Sequence, residues 1–170
     1  MKSYTCLFIV ILFISSCSED KKQITFSSSV DGAYGWVNGT NTLVSVPSHS
    51  GNSCSKIDSL NPYSFGFVYS IKDISKNKLT KADFSAWVKV ENIKNEISLV
   101  ASIWSDKKNS QLQWVGINVS EQIKTINNWT FVKGEIIFPK DLPDDTVIKF
   151  YVWSPKGDVA FIDDLEISFY

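Results

Sequence analysis

The chain has 170 residues, of which 44% are hydrophobic and 14% aromatic, and its formal net charge is −1. This length suits a single domain, and the composition excludes a disordered chain and a basic surface for nucleic acid. All 17 basic residues are lysines, so no arginine is available to hold a phosphate or carboxylate through two parallel hydrogen bonds. The composition favours a ligand with little charge.

The N-terminus predicts a lipoprotein signal peptide. Lys2 precedes an apolar stretch, residues 6–14, that is too short to span a bilayer. Ile14-Ser15-Ser16-Cys17 looks like a lipobox, so we predict removal of residues 1–16, lipidation of Cys17 and a polar tether over residues 17–23. An ordinary secretory peptide cut nearby is the alternative. Ser18-Glu19-Asp20 resembles the acidic surface-export signal of Bacteroidetes lipoproteins. We therefore expect a lipid anchor in the outer membrane, on the cell surface or on its inner side.

Short β-like runs separated by turn signals continue from residue 24 to the end, and no amphipathic helix is predicted. Asn38-Gly39 predicts a hairpin, and Ser154-Pro155-Lys156-Gly157 predicts a turn that pairs the last two strands. This pattern indicates one all-β domain, residues 24–170, built as a β-sandwich or closed barrel of roughly ten strands. The predicted strands are residues 24–28, 33–37, 40–46, 53–58, 65–71, 82–90, 97–104, 112–119, 129–138, 147–153 and 161–170.

The sequence lacks the residues that most catalytic sites require. Cys54 is the one cysteine that would remain free after lipidation, which excludes a disulfide inside the domain. His49 is the single histidine, so a zinc site of His and Cys is excluded by count. Neither a nucleophile elbow nor a phosphate-binding glycine loop occurs. We predict that the protein is not an enzyme.

Strict alternation along the last strand predicts a buried carboxylate. Asp163 would share the core face with Phe161, Leu165, Ile167 and Phe169. A buried carboxylate is costly unless it is hydrogen-bonded, paired or bound to a metal. A cation and a set of backbone amide or lysine donors are the two alternatives for Asp163.

Five segments, in order, match the motifs of a known family. They are Phe26, Ser50-Gly51-Asn52-Ser53-Cys54, Phe84-Ser85-Ala86-Trp87-Val88-Lys89, Trp129-Thr130-Phe131 and Phe161-Ile162-Asp163-Asp164-Leu165. Together they resemble the jelly-roll carbohydrate-binding modules of families four and nine, within the galactose-binding-like group. The resemblance implies an antiparallel jelly-roll β-sandwich with one structural calcium ion held by Asp163 and Asp164. Ser27 stands where that family often has an acidic residue, and Trp129 would belong to the core.

Several aromatic residues are predicted to point away from the core, where flat rings can cover the C–H faces of sugars. Tryptophan is highly buried on average, so a structural role is the alternative for each of them. Trp36 and Tyr34 are candidates in a loop. The predicted ligand-binding residues on strands are Trp87, Trp104, Trp114, Tyr151 and Trp153, with Gln113 and Asn118 as polar contacts.

These features together predict non-catalytic binding of a neutral or weakly charged polysaccharide at the cell envelope. Protein partners in an uptake complex are a further expectation, and nucleic acid is not expected. The alternative is a β-sandwich lipoprotein for protein interaction or adhesion, without sugar binding.

Overall fold

The computed structural model describes residues 23–32, 36, 39–45 and 48–170. The predictions for the signal peptide, for Cys17 and for Tyr34 lie outside the described residues. Within those ranges, no helix is long and apolar enough to cross a membrane.

The described chain is almost entirely β-structure, which confirms the predicted antiparallel β-sandwich. Helical structure is limited to the single turn α1 (Ile71–Ile74) and two 3₁₀ turns. The strands are β1 (Ile24–Ser28), β2 (Leu43–Val44), β3 (Cys54–Ile57), β4 (Phe67–Ser70), β5 (Lys81–Val90), β6 (Ser98–Ser105), β7 (Ser110–Asn118), β8 (Thr130–Ile137), β9 (Thr146–Trp153) and β10 (Ala160–Phe169).

The strands form two antiparallel sheets. One has six strands in the order β2-β3-β10-β5-β8, with β1 also paired to β10, and the other has four in the order β4-β9-β6-β7. Strand β10 organises the larger sheet because one edge pairs with β5 while the other pairs first with β3 and then with β1. The two chain ends of the domain are therefore joined in one sheet.

Apolar side chains from both sheets fill the space between them. Strand β5 alternates strictly, with every second residue from Ala82 to Val90 buried. Phe84 of this strand meets Phe150 of β9 at 5.5 Å between ring centroids, and Phe67 of β4 meets Phe169 of β10 at 6.0 Å. Each pair joins one sheet to the other, so the core holds the two layers together.

The turn after β9 forms as predicted, but the strand pairing that we expected from it is wrong. The Gly157 amide donates a hydrogen bond to the Ser154 carbonyl at 3.3 Å, and Gly157 has a φ of 76°. Strand β9 nevertheless lies in the four-stranded sheet and β10 in the six-stranded sheet. Since each strand has one apolar face, the two can bury those faces across the core instead of lying side by side.

Trp36 belongs to the core, so the expectation that it is a loop ligand contact is wrong. Its side chain is 3% exposed, and its ring stacks on Phe65 with an interplanar angle of 11°. It also meets Phe67 and Phe150 edge-on. The predicted hairpin is only partly described: Gly39 leads into a 3₁₀ turn, and the short strand β2 then pairs with β3.

Because of a β-bulge in β10, the predicted core face is correct for Leu165, Ile167 and Phe169 but wrong for Phe161 and Asp163. Asp163 pairs with Trp87 but Glu166 pairs with Ser85, so one extra residue lies in β10, and Asp164 has a φ of 43°. A bulge reverses which face later residues occupy. Ile162 and Leu165 therefore both face the core, whereas Phe161 is partly exposed. Asp163 faces away from the core with Trp87, yet it is fully buried.

We expect Trp36→Ala to lower the free energy of unfolding by about 3–5 kcal/mol, because it empties a large buried site. Urea unfolding followed by circular dichroism measures this change. Trp114→Ala is the matched control, since Trp114 is 40% exposed. Equal effects of the two substitutions would contradict the core assignment of Trp36.

Candidate functional site

The outward surface of the four-stranded sheet carries a group of aromatic side chains, which we call the aromatic face. On β6, Leu99, Ala101 and Ile103 are buried in the core, so Trp104 points to the other side. The register pairs Ser98 with Trp153, Val100 with Tyr151 and Ser102 with Trp114, which places these partners on the same side as Trp104. The aromatic face consists of Tyr63, Trp104, Trp114, Tyr151 and Trp153.

Several rings of the aromatic face are open to solvent. Tyr63 is 51% exposed and Trp114 is 40% exposed, and the other three rings are partly exposed. Tyr63 bridges to Trp153, with 11° between the ring planes and 6.3 Å between centroids. Tyr63 also meets Tyr151 at 5.7 Å. The face therefore presents adjacent flat rings to an incoming ligand.

The absence of a side chain at Gly116 sets the position of the Trp114 indole. A Cβ atom built at Gly116 would lie 2.0 Å from Cη2 of Trp114. Trp114 and Gly116 are both outward residues of β7, so the indole extends along the strand over the glycine. This close approach lets the ring lie against the sheet.

Hydrogen bonds to polar groups of the sheet orient rings of the aromatic face. The Trp104 Nε1 atom donates a hydrogen bond to Oγ of the buried Ser102 at 3.1 Å. Burial raises the pKa of the Tyr151 hydroxyl, whereas hydrogen bonding with Ser102 and Trp114 acts in the opposite direction. Ser102 thus lies between the side chains of Trp104 and Tyr151.

The two polar residues predicted beside Trp114 lie in different places. Asn118 is exposed and pairs with Ser98, at one end of the aromatic face, where its Oδ1 atom accepts hydrogen bonds from Ser120. Gln113 pairs with Ile103 and points to the inner side, and within the described part of the chain its buried Oε1 atom has no hydrogen-bond partner. We therefore leave Gln113 out of the aromatic face.

Trp87 does not join the other predicted tryptophans, because β5 belongs to the six-stranded sheet. The His49 imidazole stacks on the Trp87 indole at 3.8 Å between centroids and 14° between planes. Trp129 meets His49 edge-on at 5.9 Å and is only partly buried outside the core, so its predicted core position is wrong. A loop residue therefore covers one side of Trp87.

Asp163 and Asp164 hold that loop by hydrogen bonds. Oδ2 of Asp163 accepts from the amides of His49 at 2.8 Å and Ser50 at 3.0 Å, and Oδ1 accepts from the Asp164 amide at 2.8 Å. Asp164 accepts from His49 Nδ1 at 2.6 Å and from the Ser50 hydroxyl. Burial raises the pKa of Asp163, and the amide hydrogen bonds oppose this increase.

The surroundings of Asp163 and Asp164 do not fit the expected calcium site. Calcium takes about six to eight oxygen ligands, whereas the oxygens of both aspartates already accept hydrogen bonds from N–H and O–H groups. In the described ranges, no group of three or more His, Cys, Asp or Glu residues could hold a metal ion. The hydrogen-bonded alternative for Asp163 explains its burial.

The sequence analysis did not indicate two residues on the outward side of the four-stranded sheet, Tyr63 and Lys149. Tyr63 follows Pro62 outside any strand, so alternation gives no direction for its side chain. Lys149 lies two residues before Tyr151 and four before Trp153 on the same strand. Alternation alone could therefore have placed its side chain on the aromatic face. Its Nζ atom lies 4.3 Å from the Trp104 ring centroid.

Comparison with known proteins gives a structural similarity only. No family model matches the chain, and no curated protein matches it. The CBM22-1 xylan-binding domain of Paenibacillus barcinonensis Xyn10C is similar with a TM-score of 0.53 and 13% identity, over 85% of this chain and 92% of that one. The CBM22-1–GH10 modules of Clostridium thermocellum xylanase 10B, complexed with xylohexaose, give 0.50 and 15%, over 85% and 26%. The chain thus shares its β-sandwich fold with these two modules, which belong to family 22 and not to families four or nine.

We expect Gly116→Ala to displace the Trp114 indole without unfolding the sheet, because the clash is with the far end of a mobile side chain. In protein labelled with 5-fluorotryptophan, the ¹⁹F resonance assigned through Trp114→Phe should shift. The free energy of unfolding should change by less than about 1 kcal/mol.

Gly134→Ala is the control for this experiment, because its added Cβ would meet Ile117 and Phe84 of the inner side. It should cost about 1–3 kcal/mol through overpacking. An unchanged Trp114 resonance in Gly116→Ala would contradict the described position of the indole.

Proposed function

We propose that this protein is a non-catalytic carbohydrate-binding lipoprotein of the cell envelope that binds a polysaccharide on the aromatic face. The single observation that carries the proposal is the grouping of Trp104, Trp114, Tyr151 and Trp153 with Tyr63 on one side of a four-stranded sheet. Exposed large apolar surfaces usually mark binding sites. Flat, partly rigid rings cover the C–H faces of sugars with little loss of conformational entropy.

The polar groups around the rings also suit sugar hydroxyls. Asn118, Gln111 and Ser98 occupy outward positions around the aromatic face. Glycoside hydrolysis uses a pair of carboxylates on either side of the scissile bond. The outward positions of the four strands carry no Asp or Glu, which supports binding without hydrolysis. The similarity to a xylan-binding domain supports the same function through the fold.

A protein-interaction or adhesion module is the second candidate. The outward side of the six-stranded sheet exposes apolar side chains at the edge strand β8, with Phe131 46% and Ile137 56% exposed. A protein partner could pack on this surface without any sugar. The two candidates therefore use opposite sides of the sandwich and are separable by mutation.

We expect Trp114→Ala and Trp153→Ala each to weaken binding to polysaccharide by at least about tenfold, because central aromatic contacts dominate many binding sites. Affinity gel electrophoresis across a set of plant and microbial polysaccharides measures the retention. The melting temperature of each variant should stay close to that of the parent protein, since these rings lie outside the core.

Phe131→Ala is the matched control, with a similarly exposed ring on the other sheet. It should leave retention unchanged. Loss of retention in Phe131→Ala but not in Trp114→Ala would move the site to the six-stranded sheet. Absence of binding to every polysaccharide would contradict sugar binding and favour the adhesion candidate.

We also propose that the domain is anchored through Cys17 to the outer membrane, in support of an uptake complex. The lipobox-like Ile14-Ser15-Ser16-Cys17 and the short tether to β1 support this. Cys17→Ser should abolish incorporation of labelled palmitate and release the protein from the membrane fraction. Continued membrane fractionation of Cys17→Ser, with no label in either protein, would contradict the anchor.

A further inference from the structure

Lys149 lies within the aromatic face and not at its rim. It pairs with Ser102 of β6 on one side and with Val68 of β4 on the other. Its Nζ atom stands 4.3 Å from the centroid of the Trp104 ring. The side chain is partly buried, and Tyr151 follows it two residues along β9 on the same side. A positive charge is therefore held beside the rings that would contact a sugar.

No carboxylate of the sheet neutralises this charge. Lys149 is the single charged residue among the outward positions of the four strands, which are otherwise aromatic, aliphatic, Ser, Gly, Asn and Gln. The ion pairs found within the described ranges involve His49, Lys56, Lys81 and Lys156, and none involves Lys149. The Trp104 ring contributes a cation–π contact but no negative charge.

The loop before β9 contains the carboxylate of Asp145, but this carboxylate does not pair with Lys149. One oxygen of Asp145 accepts hydrogen bonds from the Ser105 hydroxyl at 2.6 Å and the Lys107 amide at 2.8 Å. These bonds lower the pKa of Asp145 and fix the carboxylate to the turn between β6 and β7. The ammonium group is thus available to a ligand.

A sugar that stacks on these rings would bring its ring substituents to the ammonium group. A carboxylate or sulfate oxygen both accepts a charge-assisted hydrogen bond from the ammonium group and forms an ion pair with it. A hydroxyl gains less from the same donor. The charge of Lys149 would therefore discriminate between acidic and neutral glycans that share a backbone.

We infer that the glycan bound on the aromatic face carries an anionic group, a uronic acid carboxylate or a sulfate ester, that pairs with Lys149. This inference rests on the proposed function, because the aromatic rings must hold the sugar. It departs from the ligand with little charge that the composition favours, because the charge of Lys149 is a local property of the aromatic face that a count of charged residues does not show.

The test compares matched pairs of glycans in an array or by calorimetry. The pairs are glucuronoxylan, polygalacturonate and alginate with their carboxyl-reduced forms, and carrageenan with its desulfated form. The parent protein should bind the acidic member of at least one pair about tenfold more tightly. Added salt should reduce this preference, since it screens the charges.

Lys149→Met should remove the preference by weakening the binding of the acidic member more than that of the neutral member, and Lys149→Arg should keep the preference. Lys133→Met, on an exposed position of β8, is the matched control and should behave like the parent protein. The carboxylate pairs and the sulfate pair distinguish the two sources of negative charge.

Two results would overturn the inference and leave the proposed function intact: equal binding of both members of every bound pair, or an unchanged preference in Lys149→Met. Binding of neither member of any pair, together with no retention on other polysaccharides, would overturn the proposed function as well. A lost preference that Lys133→Met reproduces would also contradict the role of Lys149.

Discussion

The burial of one face of each sheet against the other is the constraint on which the rest of this structure depends. Leu99, Ala101 and Ile103 of β6 enter the core together with Phe150 and Val152 of β9. Because side chains alternate along a strand, the intervening residues must point outward. Trp104, Tyr151 and Trp153 therefore point outward as a direct consequence of how the core is filled, and the aromatic face has the sheet behind it.

The outward surfaces of the two sheets differ in how far their aromatic rings are covered. On the six-stranded sheet, the loop around His49 and Ser50 is bound to Asp163 and Asp164, and the His49 ring covers Trp87. On the four-stranded sheet, Tyr63 extends the row of rings instead of covering it, and Trp114 lies over a glycine. Exposed apolar area forgoes hydrophobic stabilisation that burial would supply. A ligand on the aromatic face would recover part of that free energy.

In the proposed binding mode, the charge of Lys149 adds selectivity to a surface that shape and apolar area alone would leave permissive. Stacking on aromatic rings is tolerant of sugar identity because many sugars have a similar C–H face. A single ammonium group among these rings adds a term that depends on the substituents of the sugar. The proposal therefore assigns affinity to the rings and discrimination between glycans to Lys149.

The sequence by itself determined the all-β class, the approximate extent of most strands and the outward direction of Trp87, Trp104, Tyr151 and Trp153. These are local properties, because a period of two residues fixes the two faces of a strand wherever that strand is placed. The tertiary structure alone decided which sheet each strand joins, and so separated Trp87 from the other tryptophans and β9 from β10. It also decided the bulge at Asp164, the burial of Trp36 and the inward direction of Gln113. Strand partners and bulges depend on contacts between residues far apart in the chain, and a local pattern of apolar residues carries no record of them.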